Sequence, residues 1–374
     1  MMRIAVIGGG VSGVTFAINR KRNHPKDEIF IFEHSDKLLK KVLATGNGKC
    51  NIANAGELIY NSQLAREIVS KYDYASQKEF LESINIKTKL MGDLSYPISE
   101  SSVTVRNAYL KVVEKLGIVV LYNENIEDYF YKNNIYEIKT NSGSYKFDKI
   151  VFATGGKSSP KLGSDGSLIP LLVKHGYELK EFNPALCPIY TKEKTKILDG
   201  TRVKTNVILL KEGKKIFQES GEVLFKERGL SGIVIFNMSR IIAEDVNKEY
   251  QIKLDLLPDI SREELHTYLK KNNEETLLES YLHPNLVKYL QDKNENVIDL
   301  IKSLSFTFDK LYGFDNSQIS VGGIKLNQLS DELESKKEKG IYFIGELLDV
   351  DAPCGGYNLM WAIGSGLYLS NTII

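Results

Sequence analysis

The apolar and polar positions at the start of the chain predict a strand, a glycine turn and a helix. The stretch RIAVI is an apolar run, GGG follows it, and VSGVTFAINR then predicts a helix. A second apolar run, EIFIFE, predicts a second strand that ends at Glu33. Two strands joined through a helix form the repeating unit of a parallel α/β sheet. The pattern therefore favours the α/β class.

Strand patterns return in the middle and at the end of the chain. Alternation in YEIKT and the turn NSGS predict hairpins of a β-meander, and the apolar run KIVFATGG that follows predicts a further strand. At the end of the chain, IYFIG predicts a buried strand. The apolar stretch after it predicts a helix that begins near Asn358.

A segment with a different pattern separates these two parts. Residues 202–225 alternate and contain Gly213 and Gly221, which predicts antiparallel strands with turns at both glycines. Residues 261–303 predict short helices with an N-cap at Ser261 and a break at Pro284.

The composition changes this picture little. The 374 residues are 42% hydrophobic and 26% charged, with a net charge of +1, so no overall field favours nucleic acid or an anionic membrane. No run of 18 apolar residues occurs, and the first residues enter a strand directly, so we expect neither a bilayer span nor a signal peptide. Three cysteines far apart disfavour a disulfide framework and a zinc site. We expect a cytoplasmic protein without a metal.

The glycine turn has the spacing of a dinucleotide site. Gly8, Gly10 and Gly13 fill the positions of G-x-G-x-x-G, where they allow a tight turn, close approach of a pyrophosphate and helix packing. Glu33 lies 20 residues after Gly13, where a carboxylate can accept hydrogen bonds from both ribose hydroxyls. These residues predict an adenine dinucleotide but do not distinguish NAD from FAD, because both contain the same ribose.

The segment after Glu33 favours FAD. Instead of a helix, KLLKKVLATGNGKCNIAN predicts a polar loop rich in backbone donors and side-chain amides. Lys40 and Lys41 could reach a pyrophosphate, and Lys49 or the amides near Asn51 could face an isoalloxazine ring. Cys50 fits a small buried residue better than a nucleophile.

The end of the chain fits the other half of such a cofactor. Glu346 could meet a ribityl hydroxyl, and Gly355 and Gly356 let backbone approach a planar ligand. The helix that begins near Asn358 would direct N–H groups at the N1–C2=O edge of a flavin. The alternative is a C-terminal packing helix with a glycine-rich entry.

At this level of detail the chain resembles the BaiN-like, aminoacetone-oxidase-type family of bacterial FAD flavoproteins, which are NAD(P)/FAD-dependent oxidoreductases. The matching stretches are the glycine turn, KKVLATGNGKCNIAN, YPISESSVTVRNAYLK, FATGGKSSPKLGSDGSL, ERGLSGIVIFNMSR, SQISVGGIKL and GIYFIGELLDVDAPCGGYNLMWAIGSG. They span nearly the whole chain. Departures are Ala53 and Ser320 at positions where threonine is common, and Ile233 where proline is frequent.

The resemblance implies one tightly bound FAD in a Rossmann-like domain of the two-dinucleotide flavoprotein type. That domain would comprise residues 1–185 and 318–374, interrupted by a β-barrel-like module with a helical insert at residues 186–317. The module would pack over the flavin.

The candidate cofactor-binding residues come from both ends of the chain and from the meander, whose first backbone groups near Ile126 would lie against the adenine ring. They are Gly8, Gly10, Val11, Ser12, Gly13, Glu33, Lys40, Lys41, Thr45, Gly46, Asn47, Gly48, Cys50, Asn51, Ile126, Ala153, Thr154, Gly155, Gly345, Glu346, Asp349, Gly356, Tyr357, Asn358 and Leu359. Tyr357 and Lys49 are candidate catalytic residues only because they are close to the expected ring.

We expect an FAD-dependent oxidoreductase of a small organic substrate. The resemblance implies reduction of a conjugated C=C bond, with NADH or NADPH as a transient electron donor, and the alternative is an FAD-dependent amine oxidase. No second G-x-G-x-x-G marks a separate nicotinamide domain, so the donor would use the substrate opening. A non-catalytic or RNA-associated flavoprotein is a further alternative, against which the near-neutral charge and the lack of clustered arginines argue.

Overall fold

The computed structural model describes residues 1–373 and divides the chain into two compact units. Residues 1–183 and 318–373 form the first unit, and residues 184–317 form the second. The elements that precede the second unit are, in chain order, β1 (Arg3–Ile7), α1 (Val11–Asn23), β2 (Glu28–Glu33), β3 (Ala53–Asn54), α2 (Gln63–Lys71), α3 (Tyr74–Ser83), β4 (Thr88–Met91), β5 (Leu94–Pro97), α4 (Ser102–Lys115), β6 (Val119–Tyr122), β7 (Ile126–Lys132), β8 (Ile135–Thr140), β9 (Ser144–Phe147), β10 (Lys149–Phe152), α5 (Ile169–Lys174) and β11 (Leu179–Ala185).

The second unit contains six strands and five helices. They are β12 (Ile189–Thr191), β13 (Arg202–Lys211), β14 (Lys214–Lys226), β15 (Gly229–Ser231), α6 (Ile233–Ala243), β16 (Tyr250–Asp255), α7 (Arg262–Leu269), α8 (Glu274–Tyr281), α9 (Pro284–Gln291), α10 (Val297–Ser303) and β17 (Leu304–Leu311). The chain then returns to the first unit as β18 (Ile319–Ile324), β19 (Ile341–Phe343) and α11 (Tyr357–Thr372).

The first unit is built on a parallel sheet with the strand order β19-β10-β1-β2-β6. β1 pairs in parallel with β10 on one side and with β2 on the other, and Ala5 lies opposite Ile150 and Phe30. β1 is buried from Ile4 to Ile7, as the central strand of a sheet covered on both faces requires. The carboxyl ends of all five strands lie at one edge, which is where such sheets bind ligands.

The second unit contains a closed barrel in the order β12-β15-β14-β13-β16-β17. The four helices α7 to α10 lie in the chain between β16 and β17, and Ser261 forms a capping box with Glu264 at the start of α7. α8 ends at Tyr281 and α9 begins at Pro284, so the break expected at this proline is present. The α/β class, the Rossmann-like sheet and the barrel with a helical insert are thereby confirmed.

Two local expectations were wrong. Gly221 is not a turn, because β14 runs through it and pairs it with Thr205. A Cβ at Gly221 would lie 3.1 Å from Cβ of Val234, so the glycine makes room for α6. The polar loop expected after Glu33 contains a 3-10 helix at Lys40–Gly48, which breaks at Thr45, where the backbone leaves helical geometry.

Candidate functional site

The glycine turn is fixed by contacts that leave no room for side chains. Gly8 has φ 111° and donates its N–H to the carbonyl of Phe32 at 2.8 Å. A Cβ on Gly8 would lie 2.5 Å from the carbonyl oxygen of Ala153, and one on Gly13 would lie 2.3 Å from that of Gly8. The structure thus brings the turn against the end of β10, where the predicted residues Ala153, Thr154 and Gly155 lie.

Gly10 differs from Gly8 and Gly13 because a side chain at Gly10 would face open space. It is the N-cap of α1, with φ −77° and ψ −178°, and a Cβ there would meet nothing within 4 Å. No side chain caps this 13-residue helix, and no acidic residue lies in its first turn. The first N–H groups of a helix have no intrahelical partner, so this end presents donors and a positive dipole end to an anion.

Glu33 lies at the end of β2 beside the turn. Its side chain is buried, and Oε2 accepts from the N–H of Gly9 at 2.9 Å. Oε1 accepts from both the N–H and the hydroxyl of Ser35, at 2.8 and 2.7 Å, and faces His34 Nδ1 at 3.3 Å. Because a carboxylate oxygen accepts two hydrogen bonds, Oε2 retains capacity for a ribose hydroxyl.

Four segments distant in the sequence meet at Glu346. Lys41 Nζ lies 2.6 Å from Oε2 of Glu346 and also bonds to the hydroxyl of Ser158. Oε1 accepts from Ser158 Oγ and from the N–H of Ser320, both at 2.9 Å. The structure thus pairs Lys41 with Glu346, whereas Lys40 lies 3.9 Å from Asp36.

The glycine-rich tail is joined to the segment after Glu33. Asn54 donates to the carbonyl of Gly355 at 2.8 Å, and a Cβ on Gly356 would lie 2.5 Å from the carbonyl oxygen of Ala53. With its amide oriented so that both ends are satisfied, the side-chain oxygen of Asn51 accepts from the N–H of Gly356 at 3.2 Å. These contacts place the start of α11 beside residues 51–54.

α11 begins at Tyr357, after Gly356 in a left-handed conformation with φ 91°. No side chain caps it, so its first N–H groups are open to a ligand, like those of α1. The side chain of Asn358 does not point to such a ligand site. It bonds to both the N–H and the carbonyl of Ala352, at 3.1 and 2.9 Å, and so holds the preceding loop.

The two ends of the chain pack against each other. A Cβ on Gly345 would lie 2.4 Å from Oγ of Ser12, and one on Gly366 would lie 2.6 Å from the backbone oxygen of Ser12. Trp361 donates to the carbonyl of Gly345 at 3.0 Å. The N-terminus of α1 therefore packs directly against the tail.

Other predicted residues have less direct positions. Thr45 bonds to the carbonyl of Val42, and Gly46 and Asn47 have positive φ in the exposed part of the loop. Asp349 lies 3.6 Å from Lys180 Nζ. Val11, Cys50 and Leu359 line one small apolar cavity together with Val42, Ile52, Val105 and Tyr109. Gly48 ends the 3-10 helix, and Ile126 begins β7.

Three residues of this region were missed by the sequence analysis. Ser158 and Ser320 hold Glu346, as described above. Ser164 is 6% exposed, its hydroxyl has no hydrogen-bond partner among residues 1–373, and it lies 3.1 Å from the position of a Cβ on Gly155. The signals were the stretch FATGGKSSPKLGSDGSL, which contains Ser158 and Ser164, and the stretch SQISVGGIKL, which contains Ser320, but neither indicated the role of these serines.

These residues fit an FAD molecule. The empty space at Gly10 lies at a helix N-terminus that suits a pyrophosphate, and Glu33 has an acceptor left for a ribose. The buried hydroxyl of Ser164 lacks a partner that a polar ligand would supply. The start of α11 offers N–H donors to the ring.

The two candidate catalytic residues differ in surroundings. Tyr357 is buried, and its burial, followed by the charges of Asp93 and Glu57, raises the pKa of its hydroxyl. Lys49 is 60% exposed and lies 3.2 Å from Oε2 of Glu100. Burial raises the pKa of the Cys50 thiol, which disfavours a thiolate nucleophile.

Two classes of site are absent from the described part of the chain. Residues 1–373 contain no group of three His, Cys, Asp or Glu side chains placed to hold a metal ion. None of the helices in that range combines the length and the apolar character needed to cross a bilayer.

Comparison with solved structures shows the fold. The chain matches a 3-ketosteroid-delta4-(5alpha)-dehydrogenase from Rhodococcus jostii RHA1 in complex with 4-androstene-3,17-dione, with a TM-score of 0.51 and 11% identity over 99% of this chain and 96% of that one. It also matches FrdA of the E. coli quinol fumarate reductase, with a TM-score of 0.50 and 12% identity over 99% of this chain and 69% of that one.

Comparison with curated proteins gives similarity along the whole chain. The 3-dehydro-bile acid delta(4,6)-reductase of Clostridium scindens is 31% identical, over 98% of this chain and 97% of that protein. The ribosomal RNA dihydrouridine synthases of Haemophilus influenzae and Escherichia coli are 25% and 24% identical, over 96% and 99% of this chain and 95% and 97% of theirs.

The family model described as the HI0933-like protein Rossmann domain matches residues 2–372. This match and the similarity to the reductase confirm the resemblance found in the sequence. The chain belongs to the HI0933-like family of FAD-dependent oxidoreductases.

Proposed function

We propose that this protein binds FAD in its first unit, with residues from both ends of the chain. We propose that it reduces a carbon–carbon double bond conjugated to a carbonyl group in a small organic substrate. NADH or NADPH would supply the electrons. The observation behind the cofactor assignment is that α1 and α11 both have uncapped N-termini and that their first turns meet at one cavity, lined by Val11 and Leu359. The N-terminus of α1 would hold the pyrophosphate, and that of α11 would hold the isoalloxazine ring.

The names of the relatives support the reaction type. A 3-dehydro-delta(4,6) bile acid contains double bonds conjugated to a ketone, and dihydrouridine is uridine saturated at the double bond conjugated to its carbonyl. The two named activities differ in substrate but share the saturation of a conjugated C=C bond. Similarity extends over nearly the whole chain in both cases, so we extend this shared chemistry to the present protein.

Bound FAD would supply hydride transfer to the double bond. The chain would supply position and electrostatics. α1 would hold the phosphates, and Glu33 would hold the ribose. The N–H groups at the start of α11 would stabilise the negative charge that a reduced ring carries at its N1–C2=O edge. Tyr357 is the proposed holder of a proton near the ring, because a tyrosine hydroxyl is protonated at neutral pH and burial raises the pKa of this one further.

Anaerobic rapid mixing tests the reaction in two stages. The flavin-loaded protein is mixed with NADH or NADPH, and the loss of flavin absorbance near 450 nm is followed; one of the two donors should bleach it rapidly. The reduced protein is then mixed with a 3-oxo-4,6-diene bile acid, and in a separate control the oxidised protein is mixed with a primary amine.

Reoxidation by the dienone, with a product two mass units heavier, supports the proposal. If neither donor bleaches the flavin, the proposed reaction is wrong. If the amine reduces the oxidised flavin, an amine oxidase takes its place.

A second candidate substrate is ribosomal RNA, because two relatives are named for dihydrouridine synthesis in it. The net charge of +1 gives no overall attraction to the phosphate backbone, and the expectation that the protein binds no nucleic acid stays a prediction. Mass spectrometry of ribosomal RNA, incubated with the NAD(P)H-reduced protein, decides between the substrates. A gain of two mass units in a uridine would show that the substrate is RNA and not a small molecule.

A further inference from the structure

The carboxyl edge of the sheet has three neighbouring strand ends with different polar groups. β1 ends at the glycine turn, β2 ends at Glu33, and β6 is followed by residues 123–125. These strands are adjacent, in the order β1-β2-β6, and neighbouring strands lie about 4.8 Å apart. A dinucleotide with its pyrophosphate at the turn and its ribose at Glu33 therefore places its base at the end of β6.

Glu124 lies at this third position. Its N–H donates to the carbonyl of Glu33 at 3.0 Å, so its backbone is tied directly to the ribose acid. Two residues later Ile126 begins β7, where the sequence analysis placed the adenine ring. Strand order and the position of the meander thus point to the same short stretch, residues 123–126.

The carboxylate of Glu124 is buried but only half satisfied. The residue is 9% exposed, and Oε1 accepts from the hydroxyl of Ser142. Oε2 is buried without a hydrogen-bond partner among residues 1–373. A buried carboxylate oxygen without a donor is unfavourable, so a group that brings an N–H or O–H to Oε2 would bind strongly there.

We propose that Glu124 is the residue that selects adenine, by accepting a hydrogen bond at Oε2 from the 6-amino group of the base. This proposal rests on the proposed FAD site. Adenine has an amino donor at position 6, whereas hypoxanthine has a carbonyl oxygen there, which the carboxylate would repel. The ribose hydroxyls do not explain the orphan oxygen, because Glu33 lies between β6 and the glycine turn and serves them.

Binding of ADP and IDP to the flavin-free protein tests this without the flavin ring. Both nucleotides have the same pyrophosphate and ribose, but the base of ADP has a 6-amino donor and an N1 acceptor, whereas that of IDP has a 6-oxo acceptor and an N1–H donor. In isothermal titration calorimetry, wild type should bind ADP at least about tenfold more tightly than IDP. That ratio corresponds to a difference of about 1.4 kcal/mol in the binding free energy. In Glu124→Gln the side chain can donate to the 6-oxo group, so the ratio should fall to about one or reverse.

Glu127→Gln is the matched control, because Glu127 is an exposed glutamate three residues away. It should keep the wild-type preference. If Glu124→Gln does not fold, Glu124→Asp serves instead, because the shorter carboxylate withdraws from the base and should lose the preference. Thermal unfolding of each variant without nucleotide establishes that it is folded.

The outcomes separate this inference from the proposed function. Equal affinity of wild type for ADP and IDP, or an unchanged preference in a folded Glu124→Gln protein, overturns the role of Glu124 while leaving FAD binding intact. Failure of the wild type to bind either ADP or FAD overturns the cofactor site itself.

Discussion

The substitution Gly10→Val should separate cofactor binding from folding. Gly10 is the N-cap of α1, its φ of −77° is accessible to any residue, and a Cβ there meets nothing within 4 Å. The valine side chain therefore enters open space without strain. That space is the place that the proposed site gives to the pyrophosphate of FAD.

The structure sets the expected magnitudes. Valine is a poorer N-cap than glycine, so the free energy of unfolding should fall by about 1 kcal/mol or less. The branched side chain would separate the phosphates from the helix N–H groups. A hydrogen bond to a charged group contributes about 1.5–3 kcal/mol, so loss of two should weaken FAD binding roughly 10²- to 10⁴-fold.

The assay combines quenching of flavin fluorescence, which gives the Kd, with chemical unfolding of the flavin-free protein. Gly13→Val is the matched comparison, because its Cβ would lie 2.3 Å from the Gly8 carbonyl and 3.1 Å from Cβ of Ala153. That overpacked variant should lose about 1–3 kcal/mol of stability or more. An FAD affinity of Gly10→Val within threefold of wild type would refute the reasoning, and so would a loss of stability equal to that of Gly13→Val.

Three further outcomes are expected. Asn358→Pro removes an N–H at the start of α11 and the contacts that hold Ala352. A redox titration of the flavin-loaded variant should therefore give a two-electron potential about 20–60 mV below that of wild type. An unchanged potential would mean that α11 is only a packing helix. Burial alone would raise the pKa of Asp128, but hydrogen bonds from Lys174 and His175 outweigh it and lower the pKa to about 2. Asp128 thus stabilises the fold above its unfolded pKa of about 3.9, and this contribution is lost as the pH falls towards 2. Urea unfolding at pH 2–6 should show a smaller loss of stability on acidification for Asp128→Asn, and identical curves would contradict this. Tyr357→Phe should slow reoxidation of the reduced flavin by substrate about 10²-fold or more and leave reduction of the flavin by NAD(P)H unchanged. Rapid mixing measures both steps, and equal slowing of the two would argue against a proton-holding role.

The features that sequence predicted well depend on neighbours in the chain. The spacing of Gly8, Gly10 and Gly13 is set by one turn between a strand and a helix, and the same local rule located Glu33 at the end of β2. The N-cap predicted at Ser261 is likewise local, because it is part of a four-residue capping box with Glu264. Such features need no knowledge of distant segments, so a single sequence is sufficient for them.

The features that sequence missed depend on contacts between distant segments. Lys41 is 305 positions from Glu346, and no local pattern shows that their side chains form an ion pair. Gly221 has the residue type of a turn, but its role is set by Val234 of the helix packed against it. Whether the side-chain oxygens of Ser164 and Glu124 have hydrogen-bond partners depends on donors from distant segments, so the sequence alone does not show that they lack them.

The identity of the released cofactor tests the central claim most directly. The protein is reconstituted with a mixture of FAD and FMN, freed of unbound flavin, and denatured, and the flavin in the supernatant is separated by chromatography and quantified. The two-ended site, with α1 and Glu33 on the adenosine half, predicts FAD in a one-to-one ratio with the chain and no retained FMN. Retention of FMN alone, or of no flavin at all, would contradict the account.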